Sequence, residues 1–151
     1  MESRISSLVI GYGNTLRSDD GAGQVVAETI ADWQLQGVRS LAVHQLTPEL
    51  AADIATVQQV IFVDAIAAEA DSTVQVQRLA ADASSQLGGH YQSPRSLLRL
   101  AHQLYDAAPI AYQILIPAVN FDFGEALSPL TEAATATALE KIRLLLTART
   151  V

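Results

Sequence analysis

The chain has 151 residues, of which 50% are hydrophobic, and a formal net charge of −7. This length and composition predict a single domain, residues 1–151, with one apolar core, and they exclude a disordered polypeptide. The negative charge disfavours binding to nucleic acid or to an anionic membrane. The sequence has no cysteine, which excludes disulfides, thiolate nucleophiles and sulfur-ligated metals. We find neither a signal peptide nor a membrane-spanning run, so we expect a cytoplasmic protein.

The first predicted strand leads into the most informative stretch of the chain, residues 6–23, which reads SSLVIGYGNTLRSDDGAG. Residues 8–10 are a continuous apolar run, which is typical of a strand buried on both faces of a parallel sheet. From about Gly21 onward apolar residues recur at helical spacing, and we expect this helix to end near Gly37. The stretch therefore predicts a strand, a glycine-rich turn and a helix.

Two adjacent acids, Asp19 and Asp20, lie where the first strand passes to the first helix. An acid before a helix is often only its N-cap, because it accepts hydrogen bonds from backbone N–H groups. A dinucleotide-binding loop is disfavoured, since Leu16 stands where the third glycine of GxGxxG is needed and two acids would repel a pyrophosphate. The position of the acids, after a buried strand, is the usual place for chemistry in an α/β protein.

The rest of the chain alternates predicted strands and helices. Further strands are predicted at residues 38–43, 60–64, 73–78 and 111–116, and further helices at about 47–56, 93–104 and 128–145. The strand at 73–78 alternates apolar and polar residues and follows no crossover helix, so we expect it to be antiparallel. The pattern predicts a three-layer α/β fold: a mostly parallel, five-stranded twisted sheet with one antiparallel strand, and helices on both faces.

Acidic and imidazole side chains follow the predicted strands. Asp19 or Asp20 follows the first strand, His44 follows the second, Asp64 ends the third, and His90 lies in the loop after the fourth. Because the carboxyl ends of parallel strands converge on one crevice, we expect these side chains to surround it. Two carboxylates and an imidazole form an open N,O site for a divalent metal, although capping and solvated-loop roles explain the same residues.

Several motifs together resemble one protein family. GYGNTLRSDDGAG, VIFVDAI and GGHYQSPRSLLRLA occur in this order, with HQLTPEL and FDFGEALSP between and after them. The combination resembles the hydrogenase maturation endopeptidases, which trim the C-terminus of the large subunit of nickel–iron hydrogenases. The resemblance implies catalytic nickel ligands at Asp20, Asp64 and His90. Relatives often have glutamate where this chain has Asp20, which leaves Asp19 as an alternative ligand.

The resemblance also implies an activity, a cofactor and a partner. We expect a metal-linked endopeptidase that cuts one bond in the nickel-loaded precursor of a hydrogenase large subunit, with the nickel delivered by that substrate. Asp19 and His44 are expected to contact the substrate, and the enzyme is expected to be a monomer. Two alternatives remain open: an aspartic-type hydrolase in which Asp19 and Asp20 share a proton, and a non-catalytic module that senses the metal in the same maturation pathway.

Overall fold

The computed structural model describes residues 5–69, 71–81 and 93–147 of the chain. Its strands are β1 (Ser7–Tyr12), β2 (Val38–Val43), β3 (Gln59–Ala67), β4 (Gln75–Leu79) and β5 (Ile110–Ala118). Its helices are α1 (Ala22–Trp33), α2 (Leu50–Ile54), α3 (Pro94–Tyr105) and α4 (Pro129–Leu146), and a short 3₁₀ helix, Ser18–Gly21, precedes α1. None of the described helices combines the length and the hydropathy that crossing a membrane requires.

The five strands form one sheet in the order β2-β1-β3-β5-β4. β1 pairs in parallel with β2 and with β3, β3 pairs in parallel with β5, and β4 is antiparallel to β5. The predicted fold class, including the antiparallel strand, is confirmed. The connection from β3 to β4 is too short for the crossover that a parallel strand needs, so β4 runs opposite to β3 and therefore also opposite to β5, which lies between them.

Apolar side chains cover both faces of the sheet. On one face Val9, Ile61 and Ile114 pack with α1 and α4, and on the other Leu8 and Phe62 pack with α2 and α3. Consecutive residues of β1 and β3 thus belong to opposite layers, since side chains alternate across a strand. This is why the two strands read as continuous apolar runs, as predicted for central parallel strands.

Two helices are shorter than their sequence pattern predicts. α1 ends at Trp33 and not near Gly37, because Gln34 adopts a left-handed conformation with φ of 50° and its N–H donates to the Ala31 carbonyl. α2 begins at Leu50, after a turn in which the Leu50 N–H donates to the Thr47 carbonyl at 3.1 Å. The apolar spacing therefore extends further along the chain than the helical hydrogen bonds do.

The strand predicted to stop at Asp64 continues to Ala67. β5 pairs with β3 through Ala67↔Ala118, whereas β1 pairs with it only as far as Gly11↔Val63. Asp64 is therefore the first residue of β3 that has lost its neighbour on the β1 side, although the strand itself does not end there. The apolar run thus gives way to a polar residue at the point where the strand loses its partner on one side.

The N-terminus of α1 lies directly against the backbone of the central strands. A Cβ at Gly11 would overlap the carbonyl oxygen of Gly23, and a Cβ at Gly23 would lie 2.5 Å from the Val63 oxygen and 2.6 Å from the Tyr12 oxygen. Only glycine permits this approach. The contact brings the start of α1, and the acids that precede it, to the ends of β1 and β3.

We predict that Gly23→Ala destabilises the protein by about 2–3 kcal/mol, because the new methyl group must displace two carbonyl groups in a packed interior. Gly37→Ala is the matched control, since its Cβ would meet nothing within 4 Å and only its φ of 78° opposes the change. That conformation costs roughly 1 kcal/mol. Urea denaturation measures both values, and equal losses in the two variants would contradict the close-approach explanation.

Candidate functional site

The candidate site lies at the carboxyl ends of β1 and β3. The chain leaves β1 for β2 on one side and returns to β3 on the other, so the strand order reverses between these two central strands. In open α/β sheets such a reversal creates a crevice in which ligands bind. Asp20 enters it from the loop between β1 and α1, and Asp64 enters it from β3.

Asp64 lies on the α2/α3 side of the sheet, beside Tyr12. Side chains two residues apart lie on the same face of a strand, so Asp64 shares the face of Phe62, and Tyr12 shares the face of Ile10. Because Phe62 is paired with Ile10, Asp64 and Tyr12 come next to each other two residues further along the two strands. Burial raises the pKa of Asp64, the negative charge of Asp20 adds to this, and hydrogen bonds from Tyr12 and from the Ala65 backbone oppose it, so that the pKa is about 6. The free protein thus holds a carboxylate that is costly to ionise.

Tyr12 completes the immediate surroundings of Asp64. Burial, and next the charge of Asp64, raise the pKa of the Tyr12 hydroxyl well above its ordinary value, so it stays protonated. Gln113 on β5 donates a hydrogen bond from Nε2 to the Tyr12 hydroxyl oxygen at 3.3 Å. With its oxygen occupied in this way, the hydroxyl proton is directed towards Asp64.

Asp20 is held by its own loop. Its Oδ2 accepts a hydrogen bond from the Asn14 N–H at 2.9 Å, and its N–H donates to the Arg17 carbonyl at 3.1 Å. A Cβ at Gly13 would overlap the Asp20 carbonyl oxygen, so the loop closes tightly at this glycine, whose φ is 144°. Among the described residues only Oδ2 of this carboxylate has a hydrogen-bond partner, and Oδ1 is available to a ligand.

Asp19 takes a different position from the one predicted for a substrate contact or an alternative ligand. Its side chain is fully buried. Oδ2 accepts hydrogen bonds from the N–H groups of Val119 and Asn120, both at 2.9 Å, and from the Ser128 hydroxyl at 2.8 Å. Oδ1 accepts the Ser128 N–H at 2.7 Å. We therefore correct the prediction: Asp19 ties residues 119–128 to the first loop, because adjacent residues of a turn point in different directions.

The hydrogen bonds to Asp19 also decide its charge state. Burial alone would raise the pKa of this carboxyl, but the three backbone N–H groups and the Ser128 hydroxyl together lower it to about 2. Ser128 is at the same time the N-cap of α4, since its hydroxyl accepts the Thr131 N–H. One ionised carboxylate thus joins the first loop, residues 119–128 and the start of α4.

Of the two histidines predicted for the site, only His44 lies among the described residues. His44 is exposed, one residue beyond the end of β2 on the outer strand of the sheet. His90 lies outside the described residues. Within the ranges that are described, no group of three or more acidic or imidazole side chains is arranged to hold a metal ion. The structure thus brings Asp20 and Asp64 to one crevice, and the full set of Asp20, Asp64 and His90 stays a prediction.

Sequence reasoning missed Tyr12 and Gln113 as parts of the site. Both sit among apolar residues of buried strands, Tyr12 at the end of β1 and Gln113 within β5. A polar group in a buried strand requires a hydrogen-bond partner, which is the signal that singles them out. Their partners, however, come from other strands, and pairing of β1, β3 and β5 is not readable from local sequence.

Several solved structures named as hydrogenase maturation proteases have the same fold. The hydrogenase maturating endopeptidase HybD from E. coli has a TM-score of 0.75 and 22% identity, over 93% of this chain and 91% of that one. The [NiFe] hydrogenase maturation protease HybD from Thermococcus kodakarensis has a TM-score of 0.72 and 23% identity, over 93% and 99%. HycI from the same organism has a TM-score of 0.72 and 19% identity, over 97% and 95%.

The chain has the fold of the hydrogenase maturation endopeptidases. The resemblance seen in the motifs is thus confirmed at the level of the fold. No protein-family model matches the sequence, and no curated protein matches it. In this fold the Asp20 loop follows the first strand and Asp64 lies on the third, both at the carboxyl edge of the sheet.

We predict that Asp19→Asn destabilises the fold by on the order of 3 kcal/mol at pH 7, because an amide replaces a buried carboxylate that accepts four hydrogen bonds. The pKa of Asp19 is lowered from 3.8 to about 2. Its stabilising contribution is therefore present above about pH 4 and is lost as the pH falls towards 2. Asp20→Asn is the matched control and should leave the urea midpoint nearly unchanged. A similar loss in both variants would contradict the separate roles.

We predict the opposite effect for Asp64→Asn. The folded-state pKa of Asp64 is raised from 3.8 to about 6, so its contribution to stability is full below about pH 4 and is lost as the pH rises through 6. Removing the ionisable group should raise the free energy of unfolding at pH 8 by roughly 1–2 kcal/mol, allowing for partial access to solvent. Denaturation at pH 4, 6 and 8 measures this. Wild type and variant with the same pH dependence would contradict the prediction.

Proposed function

We propose that this chain is a cytoplasmic endopeptidase that removes a C-terminal extension from the nickel-loaded precursor of a nickel–iron hydrogenase large subunit. The observation that carries the proposal is the pair Asp20 and Asp64, held at the strand-order reversal of a fold shared with named hydrogenase maturation proteases. The pKa of Asp64 is raised mainly by burial and further by the charge of Asp20, so a positive charge beside this carboxylate would favour its ionised form. A divalent cation would supply that charge.

The donor set fits nickel carried by the substrate. Carboxylate oxygens and an imidazole are suitable ligands for a first-row divalent metal, and we propose His90 as the third donor. Three protein ligands leave open coordination positions, which groups of the precursor would fill. A site that is completed by its substrate holds the metal weakly on its own. The nickel is therefore treated as part of the substrate and not as a resident cofactor.

The residues around the metal have separate tasks in this proposal. Asp20 and Asp64 bind the metal carried by the precursor and so place the scissile bond at the crevice. Tyr12, itself held by Gln113, positions the Asp64 carboxylate through its hydroxyl. When bound, the metal can polarise a carbonyl group or lower the pKa of a water molecule. The raised pKa of Asp64 favours metal binding at neutral pH over acidic pH, because protonation competes with ligation.

The aspartic-type alternative does not fit the geometry. Two carboxyl groups that share a proton must face each other. Asp19 instead points into the interior, where it is saturated with hydrogen bonds and has a pKa lowered to about 2. The alternative of a metal-sensing module without catalysis uses the same residues as the proposed enzyme, so a cleavage assay separates the two.

The deciding experiment incubates the purified protein with nickel-loaded and with metal-free precursor and follows cleavage by mass spectrometry. We predict cleavage of the loaded precursor only. Asp20→Ala, Asp64→Ala and His90→Ala should each lower the rate roughly 100-fold or more, since a metal ligand matters at least as much as the groups that orient it. His102→Ala, on the exposed face of α3, is the matched control and should cleave at the wild-type rate.

Three results would count against the proposal. Efficient cleavage of metal-free precursor would show that the substrate-borne metal is not needed. Wild-type rates in Asp64→Ala would remove the central residue of the site. Metal-dependent binding of the precursor without any cleavage would favour the sensing module. Each variant is first checked by urea denaturation, so that a lost fold is not read as a lost site.

A further inference from the structure

Two exposed apolar side chains lie on paired loops beside the candidate site. Phe123 is 88% exposed and Leu16 is 47% exposed. The Gly124 N–H donates to the Leu16 carbonyl at 2.8 Å, the Ser18 N–H donates to the Gly124 carbonyl at 2.7 Å, and Arg17 and Gly124 form a parallel bridge. Leu16 and Phe123 each precede a bridge residue, so they are neighbours across the pairing. Single exposed apolar residues are ordinary, but a neighbouring pair is less so.

The backbone that carries this pair is held in place. The Ser18 hydroxyl donates to the Asp122 carbonyl at 2.7 Å. The Arg17 guanidinium lies 5.6 Å from the centre of the Phe121 ring, and its Nε donates to the Phe121 carbonyl at 3.3 Å. The buried Asp19 side chain also joins the same two loops, through its hydrogen bonds to the backbone of residues 119–128. A partner that binds here does not have to order these loops, which lowers the entropic cost of binding.

The charges around the pair limit what can bind. Asp122 and Glu125 are exposed on either side of Phe123 along the chain. Residues 13–21 and 119–128 contain one cation, Arg17, and its guanidinium is already stacked on Phe121. A segment with acidic neighbours would be repelled, whereas an apolar side chain with neutral or basic neighbours is compatible with this surface.

We infer that Leu16 and Phe123 form a docking platform for the precursor polypeptide, receiving an apolar side chain of the segment that enters the crevice. The inference rests on the proposed function. Leu16 lies only four residues before Asp20 on the same closed loop, so the platform is within one loop of a carboxylate that the precursor is proposed to reach. The platform supplies binding energy away from the reacting bond, where the carboxylates act.

The test compares steady-state cleavage of the nickel-loaded precursor by wild type and by the double variant Leu16→Ser, Phe123→Ser. We expect KM to rise about tenfold, equivalent to about 1.4 kcal/mol of binding, with kcat unchanged because Asp20 and Asp64 are untouched. Phe123→Leu should retain most of the wild-type KM, because it keeps an apolar group. Leu144→Ser, at a residue of α4 that is 75% exposed, is the control for losing a surface apolar side chain and should behave as wild type.

The outcomes separate the two proposals. If wild type cleaves the precursor and the double variant has an unchanged KM, the platform is wrong and the proposed function stands. If wild type neither cleaves nor binds the precursor, the proposed function fails and the platform fails with it. Sedimentation of the free proteins tests a second copy of this chain as the occupant: a change in association state, together with an unchanged KM, would overturn the inference. Equal urea midpoints show that the exposed substitutions leave the fold intact.

Discussion

The arrangement of the site depends on one buried negative charge. Asp19 accepts four hydrogen bonds from residues roughly 100 positions away in the chain. These bonds hold the loop after β5 against the loop after β1, and through Ser128 they set the start of α4. Because Asp19 points inward, its neighbour Asp20 is directed to the crevice. The loop pairing that carries Leu16 and Phe123 continues from the same anchor.

The second carboxylate works against stability. Asp64 sits among groups that disfavour its ionised form, and Asp20 adds repulsion. A fold selected for stability alone would place an apolar or amide side chain there. The cation that we propose to enter with the substrate would offset both the burial of the Asp64 charge and its repulsion by Asp20. In the free protein the Tyr12 hydroxyl, which accepts a hydrogen bond from Gln113, holds the Asp64 carboxylate in one orientation.

Similarity to the maturation proteases is visible in the fold while sequence identity is low. HybD from E. coli matches over 93% of this chain with 22% identity. Such a fold depends on a few requirements that many sequences satisfy: apolar runs in β1 and β3, helices covering both faces, and glycines where α1 meets the strands. Low identity is therefore compatible with a close match of the backbone.

The sequence by itself determined the elements and their layers, because buried strands and amphipathic helices have periods that are readable locally. It placed the starts of two helices at about residues 93 and 128, where Ser93 and Ser128 are the N-caps, and it marked Asp20 and Asp64 through their positions after buried runs. It did not separate Asp19 from Asp20.

Only the tertiary structure decided that Asp19 is a structural anchor, since its partners come from distant loops. It also decided where α1 ends, that β3 runs past Asp64 along β5, and that Tyr12 and Gln113 flank the carboxylate. Each of these depends on which strands and loops become neighbours, and long-range hydrogen bonds and burial settle that when the chain packs.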